Sequence, residues 1–331
     1  MKAAVCESWG DPEQVLQVRD VPPPAAPKAG EVRVRMLASP INPSDLMTVR
    51  GTYGRRPPLP CVPGFEGVGV VEEGSGLLAW RVKGKRVAVL NSHGGNWQEQ
   101  VVIPARQAVP VPDDLSDEQA ATFFVNPASA LVMTRSVLKV PRGEWLLQTA
   151  AGSQLGRMVI RLGQLYGFKT LNVVRRREQA EELLRQGGTA AVATDEEPLA
   201  ERVRQLTDNE GVRYAIDAVG GETGTQVIGT LGRHGRLLLY GTLAGEPITI
   251  DPRVLLVGEK RVEGFWLSEW VRDQGAVTML LLFRKIGKLM RGGTLTTEVG
   301  RTFALDEVRE AVRHAAQPGR QGKTLLRIGT R

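Results

Sequence analysis

The sequence predicts an α/β fold in two parts, an antiparallel, barrel-like β unit followed by a doubly wound parallel sheet. Three observations carry that expectation. Residues 31–39, Glu-Val-Arg-Val-Arg-Met-Leu-Ala-Ser, alternate with period two, and Gly64, Gly67, Gly69, Gly74, Gly76 and Gly84 punctuate the short apolar runs that follow. Beyond Asp113-Asp114-Leu115-Ser116-Asp117-Glu118 the texture changes to strand and helix patterns in alternation. Such βαβ succession builds a parallel sheet, because each helix carries the chain back across the sheet to start the next strand.

In chain order, the Pro-rich stretch Val21 to Gly30 reads as an extended connection. Ser116, followed by acids and then Ala120, Ala121, Phe124 and Val125, reads as a capped helix start. Strands are expected at 145–149, 170–174, 214–219 and 236–240, and helices at 155–166, 178–186 and near 223–231. Leu155, Val159, Leu162 and Tyr166 fall on one stripe of the first helix. The run Pro247 to Val257 reads as part of the last strands of this sheet, whose open edge needs covering. A helix over 279–290 and a strand from Lys323 to Ile328 close the chain, and this tail is expected to rejoin the first domain.

The chain has 331 residues, room for two domains, with 43 Lys and Arg against 36 Asp and Glu. The net charge of +7 could serve nucleic acid, a membrane surface or an anionic small molecule. The basic residues are scattered among acids, and aromatic content is only 5%, so a solvated surface is the simpler reading and no nucleic-acid partner is expected. Glu7 and Asp11 interrupt any secretory apolar run, and Met279 to Phe283 is far shorter than the roughly 20 residues of a spanning helix. A cytoplasmic protein without a membrane contact is expected. Cys6 and Cys61 can form at most one bridge and cannot supply a four-thiolate zinc site.

The richest site signal is Leu146-Leu-Gln-Thr-Ala-Ala-Gly-Ser-Gln-Leu-Gly156, an apolar strand running through a small-residue turn into a helix. A dinucleotide needs this arrangement, since small residues let the backbone approach a pyrophosphate and the helix start offers free N–H groups. The match to GxGxxG is incomplete at Thr149, Ala150 and Ala151, and a purely structural turn would look similar. Arg175 lies 19 residues after Gly156, where an acid would bind the ribose 2′-hydroxyl of NAD and arginine accommodates the 2′-phosphate of NADP. The turns at Asp217 to Gly221 and at Gly241 follow strands and are candidates for the nicotinamide half of such a site. Tyr53, in Gly51-Thr-Tyr-Gly54, is a protonated donor at neutral pH, though taken alone it reads as surface or packing. His93, His234 and His314 have no metal-ligand spacing, and no Gly-x-Ser-x-Gly elbow supports hydrolysis.

With Asn42-Pro-Ser-Asp45, Gly51 to Gly54, Pro63-Gly-Phe-Glu-Gly67, the Gly152 to Gly156 loop and the Asp217 to Gly221 turn in this order, the chain resembles a medium-chain dehydrogenase/reductase over essentially its whole length. Zinc alcohol dehydrogenases of that superfamily carry Gly-His-Glu where this chain has Gly64-Phe65-Glu66, and cysteine where it has Asn42. The chain is therefore similar to the zinc-independent branch, which includes quinone oxidoreductases and mitochondrial-type trans-2-enoyl-CoA reductases. Asn126-Pro127, Val173 to Arg177 and Gly264 to Trp270 look most like the enoyl-CoA reductase group.

The resemblance implies a GroES-like domain of residues 1–120 with 265–331, a Rossmann NADP-binding domain of 121–264, NADPH as cofactor, no metal, and a homodimer. It implies Tyr53 as proton donor to an enoyl thioester, with Asn42 and Asp45 shaping its loop. The NADPH contacts it implies are Asn126, Ser129, Gly152, Ser153, Gln154, Leu155, Arg175, Arg176, Arg177, Tyr240, Gly241, Thr242, Leu243, Phe265, Trp266, Leu267 and Lys323. Gln154 stands where the family loop usually has glycine, and Arg176 where an acid is common. The alternatives are an NADPH:quinone oxidoreductase and a non-catalytic nucleotide- or nucleic-acid-binding protein on the same fold.

Overall fold

The computed structural model describes residues 1–91 and 93–330. The chain divides into two units, Met1–Val125 with Leu280–Arg331, and Asn126–Met279.

In the first unit the strand Glu31–Pro40 is the organising element. It pairs antiparallel with Glu66–Gly74, Gln100–Pro104 and Lys323–Arg327, within a seven-stranded sheet completed by Arg86–Leu90, Ala108–Pro110 and Val299–Ala304. Its period-two pattern turns Val32, Val34 and Met36 to one side, where Val71, Val87, Val89, Val101 and Ile103 close an aliphatic core. The C-terminal strand joins this sheet through Leu325 opposite Pro40 and Leu326 opposite Ser39. Lys2–Cys6 and Leu16–Asp20, which the sequence reading did not single out, form a separate two-stranded ribbon.

In the second unit six parallel strands run in the order Ala190–Ala193, Lys169–Val174, Trp145–Gln148, Val212–Asp217, Leu231–Leu239, Arg261–Gly264. This is the doubly wound 3-2-1-4-5-6 order, which reverses between Trp145–Gln148 and Val212–Asp217. Leu147, Leu171, Val173, Val192, Ala215 and Leu237 are buried in one cluster between strands and helices. The helix Gln154–Tyr166 buries Leu155, Val159 and Leu162, the stripe seen in the sequence.

Two expectations change. The run 247–257 is not a strand: Pro252 opens a short helix, Pro252–Leu256, whose Asp251 cap accepts from the Arg253 N–H at 3.0 Å. The sheet edge is instead Arg261–Gly264. The division between units falls after Val125 and after Met279, later than residues 120 and 264. The reason is packing: Phe265 continues from the edge strand, its N–H donating to Leu239 O at 2.8 Å. The long helix Ala276–Arg291 buries Leu282, Ile286 and Met290 in its second half. There Phe283 packs against Phe124 at 5.6 Å between ring centroids, both in the first unit.

Candidate active site

In the second unit the candidate residues gather at the carboxyl ends of the parallel strands. Leaving Trp145–Gln148, the chain turns through Thr149 to Gly152 and enters the helix at Ser153, whose Oγ accepts from the Gly156 N–H at 3.1 Å. Gly156 packs directly on the Ala151 carbonyl, where any Cβ would overlap it, so glycine holds the helix against the turn. Beneath them the buried Gln148 amide donates to Gly156 O at 3.0 Å and to Asn172 Oδ1 at 2.7 Å, and Asn172 donates on to Ala190 O at 2.8 Å. Three adjacent strands are thereby tied together under the turn.

At the point where strand order reverses, the Thr149 hydroxyl donates to Asp217 Oδ1 and accepts from the Ala218 N–H at 3.0 Å. Asp217, wholly buried, also accepts from the Val219 and Gly220 N–H groups, each at 2.9 Å. Its carboxylate is thus committed to shaping the 217–221 turn. Gly241 lies against that turn, and a Cβ there would sit 2.6 Å from Ala218 O. Tyr240 and Leu243 donate backbone N–H groups to Asp217 O and Ala218 O. Burial pushes the Tyr240 phenol up, with the charge of Asp217 adding to the rise, so it remains protonated.

These residues fit a dinucleotide. The space above Gly152 is open, since an added Cβ would meet only the Gln179 amide at 3.7 Å. After the next strand Arg175, Arg176 and Arg177 are all exposed. Arg177 pairs with Glu181 at 2.9 Å, whereas the guanidinium groups of Arg175 and Arg176 have no partner among the described residues. Phe265, Trp266 and Leu267 are half-buried beyond the edge strand, Leu243 is exposed, and Thr242 lies between Gly241 and Leu243. Asn126 and Ser129 lie on the helix Val125–Val132, with Ser129 buried.

In the first unit a second cluster forms around the helix Pro43–Arg50. Asn42 precedes it with an extended backbone and donates its N–H to Asp45 Oδ2 at 2.7 Å, while Phe65 N–H donates to Asp45 Oδ1 at 3.1 Å. The Asn42 side chain does not cap the helix. Its Nδ2 donates to Glu66 Oε1 at 2.9 Å, and its Oδ1 accepts from the Lys323 ammonium. Glu66 Oε2 accepts from the N–H groups of Phe124 at 3.2 Å and Val125 at 2.9 Å. All four side chains are buried. Gly51 ends the helix at φ 73°, and the chain turns into Tyr53, whose ring tilts against Phe65 at 5.4 Å.

Burial dominates the protonation of this cluster. It pushes Asp45 up to about 7, against the pull of the Asn42 and Phe65 N–H groups and of Lys323. Burial raises Glu66 as well, opposed by the Val125 N–H and the Asn42 amide. The same burial lowers Lys323 to about 8, with Arg320 adding to the fall and Glu66 and Asp45 opposing it.

Of the residues singled out from sequence, the structure brings Tyr53, Asn42 and Asp45 into one neighbourhood of the first unit. Gly152 to Leu155, Arg175 to Arg177, Tyr240 to Leu243 and Phe265 to Leu267 follow strand ends along one edge of the second unit's sheet. Lys323, expected at the cofactor, is inside the first unit with its ammonium on Asn42. Glu66 and Gln148 were not foreseen as site-building residues. Glu66 had a signal, an acid in the otherwise small and apolar run Gly64 to Val71.

Phe65, between Gly64 and Glu66, offers no lone pair to a metal, and among the described residues no group of three or more His, Cys, Asp or Glu could hold one. Family models match residues 28–113 as an alcohol dehydrogenase GroES-like domain and 155–281 as a zinc-binding dehydrogenase. The human mitochondrial enoyl-[acyl-carrier-protein] reductase is 32% identical over 98% of this chain and 88% of its own length. The chain belongs to the zinc-independent medium-chain dehydrogenase/reductase family. Within that family, the quinone oxidoreductase of Thermus thermophilus, solved with NADPH, matches with TM-score 0.82 and 30% identity, covering 99% of this chain and all of the other. The Escherichia coli quinone oxidoreductase complexed with NADPH matches with TM-score 0.90 and 25% identity at the same coverage.

The Asp45 environment generates a pH test in this reductase. A carboxyl whose folded pKa lies above its unfolded value of about 3.9 contributes stability that is complete below that value and is lost as pH rises toward about 7. Wild-type stability, followed by urea unfolding from pH 5 to 7.5, should therefore carry a downward component of at most about 1.4 kcal/mol per pH unit. In Asp45→Asn that component should disappear. Identical slopes in the two proteins would show that Asp45 is ionised throughout.

Proposed function

We propose that this protein is an NADPH-dependent reductase of the activated C=C bond of an enoyl thioester, with Tyr53 as proton donor. The observation that carries the reading is the tyrosine on a fixed wall: its ring rests on Phe65, and the Phe65 N–H is held by buried Asp45. Similarity to the human enoyl-[acyl-carrier-protein] reductase supports the substrate class. NADPH, when bound, supplies the hydride that adds at Cβ of the substrate.

The chain's own residues have three tasks. The start of the helix Gln154–Tyr166, with Ser153 and Gly152, would take the pyrophosphate, and Arg175 and Arg176 the 2′-phosphate. Tyr240, Gly241, Thr242 and Leu243, with Phe265, Trp266 and Leu267, would flank the nicotinamide end, and Asn126 and Ser129 would add polar contacts. Tyr53 donates its hydroxyl proton toward Cα as negative charge builds on the thioester, while Asn42 and Asp45 fix the loop that presents it.

Similarity to quinone oxidoreductases favours a second reading, hydride transfer to a quinone, which needs less of a positioned proton. A non-catalytic role has no comparable support. A cytoplasmic homodimer completes the proposal, supported by the open edge of Arg261–Gly264 and by Leu256 and Val257, which are exposed ahead of it. Among the described residues no helix is long and apolar enough to cross a membrane, while the human relative is named as mitochondrial. Light scattering should give twice 36.0 kDa, with activity in the soluble cytoplasmic fraction.

Tyr53→Phe keeps the ring on Phe65 and removes only the hydroxyl. On crotonyl-CoA its kcat should fall about 10²-fold or more, with NADPH affinity unchanged and more of the rate on 1,4-benzoquinone retained. An unchanged rate on crotonyl-CoA would return Tyr53 to packing and favour the quinone reading.

A further inference from the structure

The protein's two cysteines, 55 positions apart in sequence, face each other across an isolated antiparallel bridge. Cys6 N–H donates to Cys61 O at 2.8 Å and Cys61 N–H donates to Cys6 O at 2.9 Å, so they form a hydrogen-bonded cross-strand pair. Both are free thiols, Cys6 fully buried and Cys61 half-buried. In such a pair the Cα atoms stand about 5.5 Å apart, inside the range a disulfide spans. The Cβ atoms of cross-strand pairs stand about 4.5–5.5 Å apart, wider than the roughly 3.5–4.5 Å a disulfide takes. Closing the bond therefore pulls the two segments together, and a bond made under strain is easily reduced.

What the two segments carry gives the bond a consequence. Trp9, three residues after Cys6, stands over Gly51, where an added Cβ would lie 3.0 Å from its ring, and Gly10 N–H donates to Val49 O at 3.1 Å. The 51–61 loop that bears Tyr53 thus has both ends, Gly51 and Cys61, seated on residues 6–10.

We propose that Cys6 and Cys61 are a reversible disulfide site that clamps this loop shut at its base. The oxidant is a small-molecule disulfide. The sulfur of half-buried Cys61 attacks it, releasing one thiol and leaving a mixed disulfide, and Cys6 then displaces the second thiol. Two protein S–H bonds are lost, one S–S bond forms, and the external disulfide is reduced to two thiols that carry the two protons. Burial pushes both protein thiols up, Cys61 to about 12, which keeps thiolate scarce and the exchange slow at neutral pH. The bond itself is independent of the reductase reading; its effect on turnover rests on that reading.

The test uses the full-length reduced protein and 2,2′-dipyridyl disulfide. The expected product is a monomeric chain two hydrogens lighter, without adduct, with two equivalents of pyridinethione released and a peptide linking Cys6 to Cys61. A pyridyl adduct retained on either cysteine, or a link between chains, would overturn the site. Hydrogen exchange of the 51–61 amides should slow at least about tenfold on oxidation; unchanged exchange would overturn the clamp. NADPH-dependent turnover of crotonyl-CoA should fall at least about fivefold and return with dithiothreitol, while Cys6→Ser/Cys61→Ser keeps its rate under the same treatment. An oxidised wild type with an undiminished rate would overturn control of turnover. If the reduced protein shows no turnover at all, the reductase reading fails, while mass and exchange still decide the bond and the clamp.

Discussion

The Glu66 carboxylate is the interaction on which the first unit depends. It collects the Asn42 amide and the N–H groups of Phe124 and Val125, and Asn42 in turn holds Lys323. Four stretches remote in sequence are thereby fixed to one another. Hydrogen bonds to a charged group contribute about 1.5–3 kcal/mol each, while taking a carboxylate out of water costs several kcal/mol. The cluster is therefore a small net contributor to stability and a strong constraint on geometry, because removing one partner leaves a buried polar group unpaired. Asp45 extends the constraint to Phe65, and Phe65 to Tyr53.

The second unit rests on a parallel device. Asp217 is turned inward onto its own loop and onto Thr149, joining the two strands between which the sheet reverses order. A carboxylate spent on backbone donors at this place leaves the surrounding strand ends to small residues and to the uncommitted Arg175 and Arg176. That division suits an anionic ligand: negative charge is buried and satisfied, and positive charge is left outward.

Much of this is legible in the sequence where the backbone itself dictates residue type. Gly156 and Gly241 are required by close approach to carbonyls, and the stripe of Leu155, Val159 and Leu162 by helical period, so turn and helix can be read from residue order alone. Ala190–Ala193 cannot, because four residues of Ala-Ala-Val-Ala carry little β preference and become a strand only by pairing with Leu171 to Val174. The run 247–257 misleads for the opposite reason: its apolar residues suggest a strand, but Pro252 and the Asp251 cap start a helix and leave Leu256 and Val257 exposed. The Glu66 cluster is hidden because its partners come from positions 42, 124, 125 and 323. The family resemblance implies Lys323 as a cofactor contact, and in the fold its ammonium donates to Asn42 Oδ1.

Asn42, Glu66, Lys323 and Asp45 form one buried hydrogen-bonded cluster, and Asp45 holds the N–H of Phe65, on whose ring the proposed donor Tyr53 rests. The most direct test is elemental analysis combined with the crotonyl-CoA rate before and after exhaustive chelation. Well under one zinc per chain and an unchanged rate are expected. Stoichiometric zinc, lost together with the activity and restored with it, would contradict a metal-free site.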